Sequence, residues 1–284
     1  MLLDKRKLEE NFFKALMIAS TLIVVGSLLS VFAVVILKGA PALSISMLTQ
    51  TPKGGYYLGK EGGVLNAIVG SLYLAGGATV MSFVISLLTA LYLHEYACRS
   101  KLANFIRQSL DVLWSVPSII YGTFGFIIMI YLGMRASLLG GIMALTLLEI
   151  PIMTRAMDEV IKMVPLKLKE ASYAIGATRL ETAFNVVVRQ AFPGILMAVL
   201  LGFGRAIGDA ASVLFTAGYT DSIPSSLFDP AASLPLAVFF QLGAPFPEVQ
   251  QRAYASAVIL LVIVLSLSIA SRLLAKRFMK YVVR

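Results

Sequence analysis

Long apolar runs separated by short polar segments set the pattern of this chain. A hydrocarbon core about 30 Å thick takes about 20 apolar residues in a helix, and a charge at the helix centre costs several kcal/mol. Charge-free runs therefore mark the spans. Six are predicted, at residues 15–37, 62–93, 112–134, 136–154, 193–220 and 253–271. The second is long enough to begin in an external loop or to cross at a tilt. The fourth carries Glu149 near one end, ahead of Pro151, where its carboxylate is expected to reach the interface rather than pair with Arg155. The fifth is interrupted by Arg205 and Asp209. The expected fold is an all-α polytopic membrane protein with six transmembrane helices.

Composition agrees. Hydrophobic residues make up 58% of the 284 and charged ones 14%, against about a quarter charged in soluble domains. Orientation follows from Lys and Arg, which stay in short cytoplasmic loops. With the N-terminus inside, cytoplasmic segments hold 18 of the 24 basic residues and the opposite side 5, so both termini are expected in the cytoplasm. The net charge of +9 is mostly this bias and does not argue for nucleic acid. Lys5, Arg6 and Lys7 precede an apolar run as in a signal peptide, but the run is too long for an h-region and lacks a cleavage site, so a retained span is expected. Cys98 and His94 are each the single residue of their kind. An internal disulfide is thus ruled out, and a metal site has too few partners.

One stretch, VPLKLKEASYAIGATRLETAFNVVVRQAFPGI at residues 164–195, breaks the apolar pattern. Pro165 suits the first turn of a helix and Gly176 its left-handed end. Thr178 and Glu181 then form a T-x-x-E capping box that restarts the chain as a second helix. The first helix carries Leu166, Leu168, Ala171, Ala174 and Ile175 among Lys167, Lys169 and Glu170. It suits a groove on another protein, or equally the lipid headgroups with its basic residues snorkelling.

The second informative stretch is GFGRAIGDAASVLFTAGYTDSIPSSL, with Arg205 and Asp209 four residues apart on one helix face. Ionisable residues inside a span are expensive unless paired or facing water. Arg offers a planar fork of donors to an oxyanion, and Asp at i+4 can hold that fork. The pair can also simply neutralise itself. Asn66 stands at the mouth of the second span, placed to bond a passing ligand or to cap a helix. Pro117 and Gly122 permit a bend or close packing in the third span. Residues 219–251 read as a polar external loop, Pro-rich and nearly free of basic residues.

These residues carry a resemblance. EASYAIGATRLETAFNVVVRQAFPGI resembles the EAA loop of membrane subunits of ATP-binding-cassette importers, matching at Glu170, Ala171, Gly176, Pro193, Gly194 and Ile195. Ser172 replaces the usual second Ala, and Arg189 stands where Pro is common, which implies a less kinked start to the fifth span. The second stretch resembles the Arg-Ala-x-Gly-Glu-Thr-Ala-Pro-Leu-Leu-Phe-Thr-Ala pattern of phosphate-specific importers of the binding-protein-dependent transport inner-membrane component family. Arg205, Ala206, Gly208, Ala211, Leu214, Phe215, Thr216 and Ala217 are kept, while Asp209, Ala210 and Ser212 depart from Glu, Thr and Pro. GGVLNAIVGSLYL, LHEYA, VPSIIYGTFGF, IPIMTRAMDEVIKMVPLKLKEA and SLPLAVF also resemble the phosphate permease pattern, so the likeness runs from residue 62 to the C-terminus.

The resemblance implies a type I importer permease fold in a prokaryotic inner membrane. It divides the chain into residues 1–61, with the cytoplasmic tail, first span and external loop, and a transmembrane domain at 62–284 whose EAA loop lies at about 155–195. Leu168, Glu170, Ala171, Ile175 and Gly176 are the implied contacts to the ATPase; Arg205, Asp209 and Asn66 are candidates for the substrate path. The implied partners are a sister permease, two ATP-binding cassette subunits that bind ATP and Mg, an extracytoplasmic phosphate-binding protein, and membrane lipid. No Gly-rich phosphate loop with Lys and Ser or Thr is present, so no nucleotide chemistry is expected in this chain. The alternatives are a permease for sulfate, molybdate or tungstate and, more distantly, a membrane-embedded enzyme using Arg205 and Asp209.

Overall fold

The computed structural model describes residues 2–53, 61–98 and 100–278. Residues 54–60 of the predicted external loop, Arg99, and the C-terminal residues 279–284, with Lys280 and Arg284 of the basic count, lie outside the described residues. The helices are α1 (Leu2–Gly39), α2 (Ile45–Thr49), α3 (Leu65–Leu91), α4 (Lys101–Ser115), α5 (Ser118–Tyr131), α6 (Leu138–Lys162), α7 (Leu166–Ala174), α8 (Arg179–Thr182), α9 (Val188–Ile207), α10 (Leu234–Leu242) and α11 (Pro247–Phe278). Two-residue strands β1 (Pro52–Lys53) and β2 (Glu61–Gly62) pair antiparallel in the external loop. A π-turn, Tyr92–Tyr96, continues α3, and a second, Ala183–Val187, joins α8 to α9.

Among the described residues five helical segments are long and apolar enough to cross a membrane: Glu9–Ala42, Leu65–Tyr96, Leu138–Lys162, Arg179–Ile207 and Pro247–Leu274. The pair α4 and α5 passes the same test together but is bent by 99°. Counting that pair as one span gives six. The third predicted span, 112–134, is thereby corrected. Val116 is extended because it precedes Pro117, so residues 112–115 belong to α4, an amphipathic helix on the cytoplasmic side, and α5 alone continues. The fifth is corrected too. Its helix begins well before Pro193, without a break at Arg189, and ends at Ile207; residues 208–220 do not resume it.

The centre of the bundle is α3, α6 and α9, with α11 against α9 and α1 against α11. Lipid tails are as apolar as Leu, so helices associate through close packing and interhelical hydrogen bonds rather than through exclusion of water. The buried stripe of α3 follows that rule: Ala67, Ser71, Ala75, Ala78, Ser82, Ser86 and Ala90 recur every three or four residues and let α6 approach. At the rim, Lys38 lies 5.1 Å from the Tyr254 ring centre, and a Cβ on Gly39 would sit 2.6 Å from the Tyr254 carbonyl oxygen.

The external segment departs most from expectation. Ala231 to Ala237 are buried and α10 packs on α11 and α3, so 219–246 is a folded segment laid on the bundle, the lid, rather than a simple polar loop, and 247–251 begin α11. Non-helical backbone survives at this depth only where its polar groups are paired. Here Leu138 and Leu139 N–H, unpaired donors at the start of α6, bond the carbonyls of Asp229 (2.7 Å) and Leu227 (2.8 Å), and Ala231 N–H bonds Ala217.

Candidate functional site

At the cytoplasmic end, α6 gives way through Pro165 to α7. Gly176 has φ +86°, the left-handed conformation that ends the helix, and Ser172 O accepts from Ala177 N–H at 3.2 Å. Thr178 then caps α8: Glu181 N–H donates to its hydroxyl at 3.3 Å while the Glu181 carboxylate accepts from Thr178 N–H at 2.8 Å. The two predicted helices and the capping box are thus present.

α7 has two faces. Leu166 (67% exposed), Glu170, Ala171, Ala174 and Ile175 (86% exposed) point away from the bundle, with Gly176 beyond them, while Leu168 is half-buried. Lys169 and Ser172 are buried. Ser172, the departure from the usual Ala, shares a hydrogen bond of 2.9 Å with Thr182 and so docks α7 on α8. Lys169 reaches the Glu95 carboxylate in the first π-turn, and the Tyr173 hydroxyl lies 3.5 Å from the other Glu95 oxygen.

A second ionic cluster lies beside it. Asp158, fully buried on α6, accepts two bonds from Arg107 of α4 (2.9 and 3.1 Å) and pairs with Lys162 at 3.0 Å. Arg155 pairs with Asp111 at 2.7 Å. α4 is therefore clamped to α6, and the Arg107 guanidinium also reaches the Leu93 carbonyl at 3.3 Å.

At the opposite end, Arg205 occupies the last turn of α9 and Asp209 lies just beyond it, across Gly208. One guanidinium nitrogen meets Asp209 Oδ1 at 2.8 Å; Oδ2 accepts from Ser212 N–H at 2.8 Å and from the Ser212 hydroxyl at 2.5 Å. Asp209 is buried with its oxygens occupied, while the Arg205 side chain stays 42% exposed. The turn is held from behind by α5, where a Cβ on Gly122 would lie 2.7 Å from the Ser212 carbonyl oxygen. Asn66 is 1% exposed and donates to the Thr220 carbonyl at 2.6 Å, tying α3 to the lid. It does not cap α3, whose N-cap is Val64.

Glu149 corrects a further expectation. α6 runs on to Lys162, so Glu149 falls mid-helix, fully buried, and does not reach the interface. Its carboxylate accepts from Ser82 (2.5 Å) and Thr79 (3.2 Å) on α3 and faces Gly202 of α9, one turn before Arg205. Sequence reasoning also missed Ser212, Arg107–Asp158 and Glu95–Lys169. Glu95 in LHEYA, Asp158 in IPIMTRAMDEVIKM, Lys169 and Ser212 all stand in stretches that the sequence marks, but nothing in the chain order pairs them; Arg107 has no such signal. Among the described residues no group of three or more His, Cys, Asp or Glu is placed to hold a metal.

A bundle of five spans, or six with the bent pair, that presents a short exposed helix at one end and an exposed arginine fork at the other fits the class of polytopic membrane permeases. The chain belongs to the family described as binding-protein-dependent transport system inner membrane component, whose model matches residues 82–280. Phosphate transport system permease protein PstA of Haemophilus influenzae is 36% identical over 239 residues, covering 84% of this chain and 83% of that protein. The protein of that name from Mycobacterium leprae is 34% identical over 282 residues, covering 96% and 91%. Among solved structures, the inward-facing MetNI methionine ABC transporter superposes with a TM-score of 0.61 at 19% identity, over 75% of this chain and 95% of that one. An amino acid ABC transporter crystallised with histidines gives 0.56 at 18%, over 79% and 100%. These two likenesses establish the importer permease fold. The chain is a multi-pass, non-catalytic inner-membrane subunit of an ABC transporter.

Proposed function

We propose that this chain is the permease subunit of an ATP-driven importer of inorganic phosphate. It forms the path with a sister permease and is served by an extracytoplasmic phosphate-binding protein. Two cassette subunits bind ATP and Mg. The observation that carries this reading is Arg205: its guanidinium is held by a buried Asp209 yet left exposed, in a chain one-third identical to phosphate permeases. A planar fork suits an oxyanion, and contact there must be weak enough for release. Asn66 acts on the path through the lid it holds.

Glu170, Ala171, Ile175 and Gly176, with half-buried Leu168, form the surface that enters a cleft of the cassette subunit. Closure of two cassettes pulls α7 and rocks the spans between outward and inward states. Residues 62–284 form the transmembrane domain, with its coupling loop at about 155–195, and residues 1–61 an added tail, span and loop. α1, which has no buried residue in its apolar window, supports that division.

The test is labelled phosphate uptake by proteoliposomes holding the full complex, with sulfate and molybdate as competitors and ATP hydrolysis followed in parallel. Phosphate uptake that depends on ATP and resists both competitors is expected. Better competition by sulfate or molybdate than by unlabelled phosphate would overturn the substrate.

A further inference from the structure

α7 is joined by the chain to α6 on one side and to α8 on the other, and the lid is bonded by both α6 and α3. Contacts at its external end, at mid-height and at its cytoplasmic end make α3 a rod between the two faces. At its external end Asn66 bonds the Thr220 carbonyl and the Ser71 hydroxyl accepts from Leu234 N–H at 2.8 Å. A Cβ on Gly70 would lie 1.9 Å from the Ala232 carbonyl oxygen, so α3 touches the lid backbone directly. At mid-height Ser82 and Thr79 bond Glu149.

At the cytoplasmic end is the π-turn Tyr92–Tyr96. A π-turn holds one residue more than an α-turn, which rotates the side chains after it by about 100° around the axis. Glu95 lies here, with its side chain 3% exposed, against Lys169 at 8%. The same turn offers the Leu93 carbonyl to Arg107, which is held in turn by Asp158. The second π-turn, Ala183–Val187, also packs on α7. The buried face of α7 is thus held by a hydroxyl pair between Ser172 and Thr182 of α8 and by an ion pair between Lys169 and Glu95 of the first π-turn.

We infer that the Glu95–Lys169 ion pair is a latch through which movement of α7 reaches α3 and, along α3, the external lid. The two residues are positioning residues: neither lies on the exposed face of α7 that meets the cassette, and neither lies near Arg205. A buried pair suits this task because separating it leaves an uncompensated charge on each side, so the two helices move as one. The chain connection through α6 meets α3 at mid-height, at Glu149, and the latch adds a second link at the cytoplasmic end of α3. This inference rests on the importer reading above.

The test measures phosphate uptake and ATP hydrolysis on the same proteoliposomes with the complete complex, and reads their ratio. In Glu95→Gln and in Lys169→Met the ratio should fall about tenfold, within the range usual for coupling between sites, while ATP hydrolysis continues. The exchange Glu95→Lys with Lys169→Glu should recover at least half of it. A merely structural role would lower the amount of complex and both rates together, leaving the ratio unchanged. Where a single variant fails to assemble, the neutral double variant Glu95→Gln with Lys169→Met leaves no buried charge alone and gives the same reading. An unchanged ratio in the assembled variants overturns the latch. A wild-type complex that imports sulfate instead would overturn the phosphate assignment only, and the ratio measured with sulfate would still decide the latch.

Discussion

Arg205 and Asp209 meet at 2.8 Å across the end of α9, and the second oxygen of Asp209 is taken by Ser212. The carboxylate thus aims the guanidinium while its own polarity is satisfied inside the turn. Arg205→Gln removes the charge from an exposed position and takes the counter-ion from buried Asp209, whose carboxylate keeps both Ser212 bonds. Phosphate uptake per assembled complex should fall by about tenfold or more, as for a lost charge-assisted contact of roughly 1.5–3 kcal/mol. Arg205→Lys keeps the charge and loses the fork, and should fall between. Uptake with the complex quantified by immunoblot checks both.

Ser212→Pro removes both the N–H and the hydroxyl that Asp209 uses, leaving one buried carboxylate oxygen without a donor. An unsatisfied buried group costs about 1–3 kcal/mol, and more when charged. The complex should melt at a lower temperature in detergent than wild type. Adding Asp209→Glu, whose longer arm need not turn back onto residue 212, should recover part of the loss.

Gly176 ends α7 at φ +86° with open space where a Cβ would point. The penalty for a side chain there is therefore backbone strain alone, about 1–2 kcal/mol for a left-handed L-residue. Gly176→Val should weaken recovery of the ATPase with the permease and lower ATP-driven uptake, and Gly176→Asn should be tolerated. Co-purification from membranes separates the two outcomes.

Glu149 ties α3 to α6 through two hydroxyls. Interhelical bonds of this kind average only about 0.6 kcal/mol in membrane bundles, so Glu149→Gln, which keeps an acceptor, should melt within a few degrees of wild type. Glu149→Lys places a cation against Gly202 and Met153 and should prevent assembly. Fluorescence-detected melting of the purified complex distinguishes them.

In the lid, Asp229 accepts from the Ser225 hydroxyl (2.8 Å) and from the N–H groups of Ser225 (3.0 Å) and Ser226 (2.9 Å). These donors hold its carboxyl below the usual carboxylate value. A depressed folded value means the stabilisation is full above the unfolded pKa, about 3.9, and is lost as pH falls through the folded value. Wild type should therefore exceed Asp229→Asn in melting temperature at pH 7, with the gap closing below about pH 4. A gap independent of pH would remove the charge from the explanation.

Legibility in the sequence followed chain distance. The helix over Leu166–Ala174, the left-handed Gly176 and the Thr178–Glu181 box were readable because their partners lie within three or four residues. Arg205 and Asp209 were readable for the same reason, although the helix expected to contain both ends between them. Glu149 was misplaced because charge-free length stopped the fourth span too early. The continuing turn carries Arg155, Asp158 and Lys162, whose charges are satisfied by one another and by Asp111, Glu159 and Arg107.

By itself the sequence determined most of the apolar spans and the short capped helix over Leu166–Ala174. Those depend on transfer of single segments into lipid and on local backbone preference, which each stretch carries alone. Only the tertiary structure decided the 99° bend between α4 and α5, the burial of the lid and the pairings that link the two faces. Glu149 finds its hydroxyls 67 and 70 residues away and Lys169 finds Glu95 at 74. Such partners are chosen by which helix faces come together, and in lipid that choice rests on small residues such as those along α3, whose value appears only once a neighbour fills the space they leave.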